Sequence, residues 1–418
     1  MFLVESVVNF VKMFEQSIGL SEPWSVERAE FSEDSKEVHV YIKARKTAQY
    51  ACPECGEICS RYDDEEKERI WRHGDVVFFP CYIHCRRPRI KCEKHGTRVV
   101  EAPWARAYSR YTMLFESYAM FLVKNMPVEA ARKLLRISHT SLTNIMWYWV
   151  DKAVSEDDLS EAKHLSIDET SFKRGHSYVT VISDMTARRV IGVEPDRSME
   201  SVELFSYKLE SKGGKCENIQ TVSCDMSKAY MAAKELCFPN AETVIDRFHV
   251  KQLILKGMDE VRREEQGKTS KSRKSGRKLL MIPEGRMTEK QQEVAEILCK
   301  QYPKTGRAFR MVQCLDDVYR CQTRAEADDK FNKLLGWLSR SRLEPMKKVG
   351  RTFKTYKNQI LNYFTDRITN AIAEAINSLI QAAKRKARGY VTFRGYACMI
   401  YLVVGKLKLA CPMLFSQA

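Results

Sequence analysis

No run of the 418 residues reaches the roughly 18 uncharged apolar positions that a membrane-spanning helix needs. The apolar opening, MFLVESVVNFVKMFEQSIGL, is interrupted by Glu5, Lys12 and Glu15. It has neither a basic leader nor a small-residue cleavage site, so it does not read as a signal peptide. Acidic residues are in deficit, 54 against 70 lysines and arginines, a formal charge of +16. That balance favours a polyanionic partner, nucleic acid before membrane. No internal repeat is evident, which argues against a solenoid or propeller. Without a secretory signal, the 14 cysteines are expected in a reducing compartment, as core filler or metal ligands rather than disulfides. What is present is a 44% apolar fraction, enough for folded cores, and a length that allows two or more domains.

The basic residues cluster at RRPRIK (86–91), KTSKSRKSGRK (268–278) and KRKARGYVTFR (384–394). Any one run could be a solvated face; three in one chain favour nucleic acid. An alternating strand is expected at EVHVYIKA (37–44). Residues 105–155 have helical periodicity. Between 163 and 250, strand-like segments (HLSID, YVTVISD, RVIGVE, TVSCD, ETVID) alternate with expected helices near 198–211 and 227–237, an α/β pattern. Residues 251–360 read as charged helices with a polar break at 266–276, and a last amphipathic helix is expected through 361–387.

CPECG (52–56) and CEKHG (92–96) share one form: Cys, two residues, Cys or His, then Gly. This is the pattern of a zinc knuckle, a tight turn whose glycine takes an unusual backbone angle. Cys52, Cys55, Cys92 and His95 would complete a tetrahedral structural Zn²⁺ site, although Cys81 or Cys85 could replace a ligand. Downstream, PVEAARKLLRISHTSLTNIMWYWV (127–150) suggests two helices joined by a short turn. Pro127 suits a first turn, and Ala130, Ala131, Leu134 and Leu135 give one apolar face. Ser138 is a candidate N-cap, and Arg136 stands where such turns often carry glycine. In the second helix Leu142, Ile145 and Met146 point inward. His139, Thr140, Ser141, Thr143 and Asn144 point outward, short polar groups suited to the major groove. An ordinary helical hairpin is the alternative.

Three acids stand out. Asp168 ends one apolar strand and Asp225 another. Glu374 lies in TDRITNAIAEAINSLIQAA (365–383), within a stripe of Asn370, Glu374, Asn377 and Gln381 opposite an apolar stripe at Leu361, Phe364, Ile368, Ile372, Leu379 and Ala383. Two strand-end aspartates and a helical glutamate can hold two Mg²⁺ or Mn²⁺ ions for in-line phosphoryl displacement. Glu169 faces the other side of its strand and is secondary.

Taken in order, the double knuckle, the helix pair, IDETSFKRGHSYVTVISD, CDMSKAY, VIDRFHVKQL and ILNYFTDRITNAIAEAIN resemble the ISL-three family of bacterial insertion-sequence transposases, from about residue 50 to 400. The resemblance implies a multidomain α+β chain: an N-terminal segment (1–45), a zinc ribbon (46–104), a helix-turn-helix domain (105–158), and an RNase H-like α/β core (159–254 and 351–418) split by a helical insertion (255–350). It implies a DDE triad of Asp168, Asp225 and Glu374, with Asp246, His249 and Asn370 in support; His249 could equally be a hydrogen-bonded core histidine. Ala371 and Ala375 stand where glycines are expected, and His95 where a cysteine is usual. Lys384, Arg385, Lys386 and Arg388 would neutralise phosphates. The expected partners are double-stranded DNA and a second copy of the chain, in the cytoplasm of a bacterium and associated with its nucleoid. Rival readings are a DNA-binding regulator with an inert core, a nuclease without strand transfer, and a metal-dependent enzyme acting on small molecules.

Overall fold

The computed structural model describes residues 11–410 except 13, 17, 172, 174–177, 267–271, 367–370 and 388. It resolves into two compact units, one reaching to Ala153 and the other spanning Val154–Leu407. The sequence-based classification holds: a mixed α and β architecture with zinc-ribbon, helix-turn-helix and α/β core parts.

The first unit holds two four-stranded sheets. Strands β1 (Trp24–Ser32), β2 (Glu37–Ala44), β5 (Arg69–Val76) and β6 (Phe79–Cys85) form one, in the order β1-β2-β6-β5. The expected strand 37–44 is therefore present, but it shares a sheet with strands from beyond residue 46 rather than belonging to a separate segment. Strands β3 (Gln49–Ala51), β4 (Ile58–Asp64), β7 (Pro88–Cys92) and β8 (Gly96–Val99) form the other, in sequence order. Trp24, Trp71 and Trp104 pack edge to face in the core between them.

Three helices follow: α1 (Met113–Asn125), α2 (Val128–Leu135) and α3 (His139–Ser155). Their anchor is Glu116, fully buried on α1. It accepts from Trp149 Nε1 of α3 at 2.7 Å, from Ser109 Oγ at 2.7 Å and from Arg106 Nε at 2.9 Å. A buried carboxylate is tolerable only with such a full set of donors. On α2 only Ala131 and Leu135 turn inward; Leu134, expected in the apolar face, is 53% exposed because the helix offers one narrow i, i+4 contact.

The second unit is built on a five-stranded sheet in the order β11-β10-β9-β12-β13, from β9 (His164–Ser171), β10 (Tyr178–Asp184), β11 (Arg189–Pro195), β12 (Thr221–Cys224) and β13 (Glu242–Ile245). The first three are antiparallel neighbours, and β12 and β13 run parallel to β9. One face carries Leu165, Ile167, Ile182, Ile191 and Val222 and is covered by α4 (Met199–Ser211) and α5 (Lys228–Cys237), both close to their expected places. The other carries Val179, Val181, Val190 and Val193 and is covered by α14 (Ala371–Lys386) and α15 (Phe393–Val404). Between these layers in sequence come α6 (Arg247–Gln266), α7 (Ser272–Leu280), α8 (Glu289–Gln301), α9 (Pro303–Tyr319), α10 (Arg324–Arg340), α11 (Glu344–Thr355), α12 (Lys357–Leu361) and α13 (Tyr363–Asp366). They share a separate apolar core that includes Met311, Phe331 and Phe353. Of the expected break at 266–276, residues 267–271 lie outside the described residues, while Gln266 still belongs to α6 and Ser272–Gly276 to α7. The single helix expected over 361–387 is interrupted at Asn362, between α12 and α13, and α14 is described from Ala371; Ile368 of the expected apolar stripe lies outside the described residues. Leu361 and Phe364 join the insertion's core, while Ile372, Ile376 and Ile380 pack on the sheet.

His73 on β5 is buried against the N-cap of α1, its Nδ1 2.9 Å from Thr112 Oγ1. Burial, aided by the neighbouring Arg72 charge, lowers its imidazole to about 4. Below about pH 6.5 the unfolded chain takes up a proton that folded His73 refuses. Its contribution is therefore complete above pH 6.5 and lost as the pH falls toward 4, about 3 kcal/mol in all. Urea unfolding between pH 7 and 4 is expected to show a steeper loss of stability in the wild type than in His73→Asn. Equal slopes would remove His73 from the account.

Candidate active site and DNA-binding elements

The registers of the central sheet bring three aspartates to one level. Ser166 of β9 pairs with Ser223 of β12, and Cys224 of β12 with Ile245 of β13. Carried onward, the first register sets Asp225 beside Asp168 and the second sets Asp246 beside Asp225. Adjacent strands lie about 4.8 Å apart, and residues in register share a face. All three acids thus sit where β12 and β13 stop, the usual mouth of a parallel sheet. Asp168 does not end its own strand, as the sequence had suggested. Strand β9 continues to Ser171 because β10 pairs with it beyond that point. Glu169 points the other way, toward Arg197 at 3.1 Å.

Each carboxylate is held by local geometry. Asp225 accepts from Ser227 N at 2.8 Å, a turn that launches α5. Asp246 accepts from Phe248 N at 2.7 Å and so caps α6. Asp168 is gripped from two sides: His249 Nε2 lies 3.7 Å from its Oδ1, and Asn377 Nδ2 donates to its Oδ2. Burial raises the Asp246 carboxyl, and the charges of Asp168 and Glu374 raise it further against the opposing pull of the Phe248 amide and His249. Burial pulls the His249 imidazole down, but its close approach to the Asp168 carboxylate and the charges of Asp246 and Asp225 outweigh this and leave it raised. These mutual influences mark Asp168, Asp225, Asp246, Glu374 and His249 as one electrostatic cluster. An open cleft of about 300 Å³ runs past Asp225 and His249, with Gln252 and Lys256 along its α6 wall.

Glu374 is exposed on the first turn of α14, and α14 is fastened along β9. After Asn377 meets Asp168, Gln381 Nε2 donates to Thr170 Oγ1 at 2.7 Å, and Lys384 Nζ donates to Ser171. The amides therefore border the buried stripe instead of opposing it, and Leu379, expected inside, is 51% exposed. Asn377 and Gln381 were visible in the sequence as amides at helical spacing, but their partners on β9 were not. Lys384 is committed to Ser171, while Arg385 and Lys386 are exposed; Asn370 and Arg388 lie outside the described residues. The donors around Asp168, Asp225 and Glu374 are carboxylate oxygens, the hard ligands that suit Mg²⁺ or Mn²⁺. Among the described residues, these acids do not close on one another as tightly as the cysteine group does.

That group is Cys52, Cys55, Cys92 and His95, whose ligand atoms all lie within 4.8 Å of one another. Cys55 and Cys92 Sγ are 3.7 Å apart, and His95 Nδ1 is 3.7 Å from Cys52 Sγ and 3.6 Å from Cys92 Sγ. Zinc with sulfur at about 2.3 Å and nitrogen at about 2.0 Å demands tetrahedral edges of roughly 3.5–3.8 Å, so the group fits that ion. Gly56 and Gly96, each following a ligand, have φ of 74° and 70°, the left-handed turn of a knuckle. Burial raises the Cys92 thiol, but the His95 and Lys94 amides and the His95 ring bring it down to about 6, toward the ligating thiolate. Glu54 faces the other ring nitrogen of His95 at 3.6 Å. Cys81 and Cys85 lie on β6 in the other sheet, and burial pushes both thiols up to about 12. They are core.

In the helix pair, Arg136 takes the left-handed conformation, with φ 56° and ψ 41°, where a glycine is usual. Its guanidinium bonds Asp75 and the Phe78 carbonyl, which hold the turn. Ser138 Oγ accepts from Ser141 N at 3.1 Å, the expected N-cap of α3. His139, Thr140 and Asn144 are exposed; Ser141 and Thr143 are half-buried, with Thr143 Oγ1 donating to His139 O.

Comparison with known proteins agrees with this arrangement. Residues 165–400 match the DDE domain of the ISL3 family, described as "Transposase". Residues 100–150 match the helix-turn-helix domain of transposase family ISL3. Residues 48–95 match the zinc-finger of transposase IS204/IS1001/IS1096/IS1165. The transposase for insertion sequence element IS1001 of Bordetella parapertussis is 25% identical over 384 residues, covering 90% of this chain and 94% of that protein. The transposase for insertion sequence element IS1557 of Mycobacterium tuberculosis (strain ATCC 25618 / H37Rv) is 24% identical over 413 residues, 91% of this chain and 92% of its own length. With the core, the helix pair and the zinc finger all matched in order, the chain belongs to the ISL3 family of insertion-sequence transposases.

Proposed function

We propose that this chain binds the terminal inverted repeats of its element, hydrolyses the phosphodiester at each end and joins the freed 3′-hydroxyl to target DNA by a DDE mechanism. The observation that carries this reading is the register that sets Asp168 and Asp225 side by side, with Glu374 on a helix fastened along β9. These three carboxylates would hold a pair of Mg²⁺ or Mn²⁺ ions. Such ions supply activation of a water or 3′-hydroxyl and stabilisation of the leaving oxygen. The chain's own part is preorganisation. His249 and Asn377 fix the two oxygens of Asp168, and the Ser227 amide fixes Asp225. Asp246 caps α6 and so orients His249, a supporting role.

Cys52, Cys55, Cys92 and His95 hold a structural Zn²⁺ that shapes the ribbon. Outward groups of α3, led by His139, Thr140 and Asn144, read the major groove. Arg385 and Lys386 neutralise phosphates, which makes binding steeply salt-dependent. Bringing two element ends together calls for at least two copies of the chain, acting on DNA in the bacterial nucleoid.

Asp225→Asn is expected to abolish Mg²⁺- or Mn²⁺-dependent cutting of labelled DNA from the flanks of the protein's own gene while leaving end binding within about threefold. Equal loss of cutting and binding would make Asp225 structural. Binding without cutting by the wild type would favour a regulator.

Elemental analysis is expected to find one zinc per chain, lost in Cys92→Ser and kept in Cys81→Ser and Cys85→Ser. Loss in the latter pair alone would move the ligand set.

A further inference from the structure

The turn joining β5 to β6 is built from residues that hairpins avoid. Val76 pairs with Phe79, leaving Val77 and Phe78 as a two-residue loop. Val77 has φ 60°, and Phe78 is not among the positive-φ residues, the pattern of a turn whose first position is normally glycine. A β-branched residue there is strained. Both side chains nevertheless stand in solvent, Val77 76% and Phe78 80% exposed. Phe31 and Phe79, stacked edge to face beneath them, are themselves partly exposed. An apolar tip held in a strained turn and left uncovered stabilises nothing in the isolated chain.

The tip is also clamped to the helix-turn-helix. Arg136, at the turn between α2 and α3, donates to the Phe78 carbonyl at 2.9 Å and pairs with Asp75. Asp75 is held in turn by Arg72. The tip is thereby fixed beside the N-terminus of α3, the end that carries His139 and Thr140. Its size argues against a stable protein interface, which needs about 800 Å² from each partner, far more than two side chains supply. A narrow hairpin with an aromatic point does suit a minor groove about 6 Å wide next to a major groove filled by a helix.

We propose that Val77 and Phe78 form a wedge that enters the minor groove flanking the α3 site, with Phe78 partly unstacking one base step. This rests on the reading of α3 as a DNA-binding helix and adds a second, shape-dependent contact to it. Arg136 then has a second role, since it sets the spacing between helix and wedge.

The test uses the full chain and duplexes from the flanks of its gene, carrying 2-aminopurine at successive steps. Guanine methylation protection reports the major-groove footprint in parallel. Two variants are compared, Phe78→Ala and the pair Val77→Gly with Phe78→Asn. The pair suits the turn and is expected to melt no lower than the wild type. The wild type should raise 2-aminopurine emission at a step beside the footprint. Both variants should lose that rise and bind roughly tenfold more weakly, while keeping the footprint. Unchanged emission in the variants would overturn the wedge and leave the DNA-binding helix standing. Loss of self-association with DNA signals unchanged would overturn it in favour of a contact between copies. A wild type that protects no guanine would overturn the DNA-binding reading and the wedge with it.

Discussion

The seam between α14 and β9 is the contact on which the assembly of the core turns. Asn377, Gln381 and Lys384 meet Asp168, Thr170 and Ser171 in order. Seven residues of helix rise about 10.5 Å, and three residues of strand about 10 Å. The two elements therefore keep step, and the helix runs alongside the strand in the same direction. The neutral Gln381–Thr170 bond contributes only about 1 kcal/mol, and the bonds to the Asp168 carboxylate and from the Lys384 ammonium about 1.5–3 kcal/mol each. Their larger effect is directional: with the apolar contact of Ile372, Ile376 and Ile380 on the sheet, they fix both the rotation and the axial position of α14. The first turn, with Glu374, is set by the turns that follow it.

The chain meets the same electrostatic problem twice and solves it with different atoms. In the ribbon, three thiols and an imidazole converge, and backbone amides of the two knuckles favour the thiolate at Cys52 and Cys92. In the core, carboxylates converge, and amides of helix starts and turns hold them while His249 supplies a partial counter-charge. Both groups concentrate negative charge beyond what the protein's own donors balance, the usual sign of a place for cations. The ribbon's soft, tightly spaced donors and the core's hard, more widely spaced ones would suit different metals.

Much of this was legible in the sequence because local patterns dictated it. The knuckles announce themselves through Cys-x-x-Cys/His-Gly, and the five core strands through apolar runs that end on turn residues. What escaped was set by partners distant in the chain. Strand β9 outruns Asp168 only because β10 pairs with it. The stripe on α14 was misjudged because Leu361 and Phe364 belong to another core, and helical periodicity does not name the surface it packs on. The β5–β6 turn has no glycine, asparagine or aspartate at its tip, so nothing in DVVFFP signals a reversal. Arg136 in a glycine-like conformation is explained by Asp75 and Phe78, some sixty residues upstream.

The seam also has a consequence in time. Asn377 and Asp168 are 209 residues apart, and most of the intervening chain is the helical insertion. Synthesis proceeds from the N-terminus, and domains fold as they emerge. The zinc finger and the helix pair are complete long before α14 leaves the ribosome, and so are the strands bearing both aspartates. A chain stopped before Ala371 keeps the zinc finger, the helix pair and both aspartates but lacks Glu374, Arg385, Lys386 and Asn377, the side chain that steadies Asp168. On the function proposed above, premature termination would leave a chain able to hold DNA through its helix pair but not to cut it, and the site would be completed only when synthesis is nearly finished.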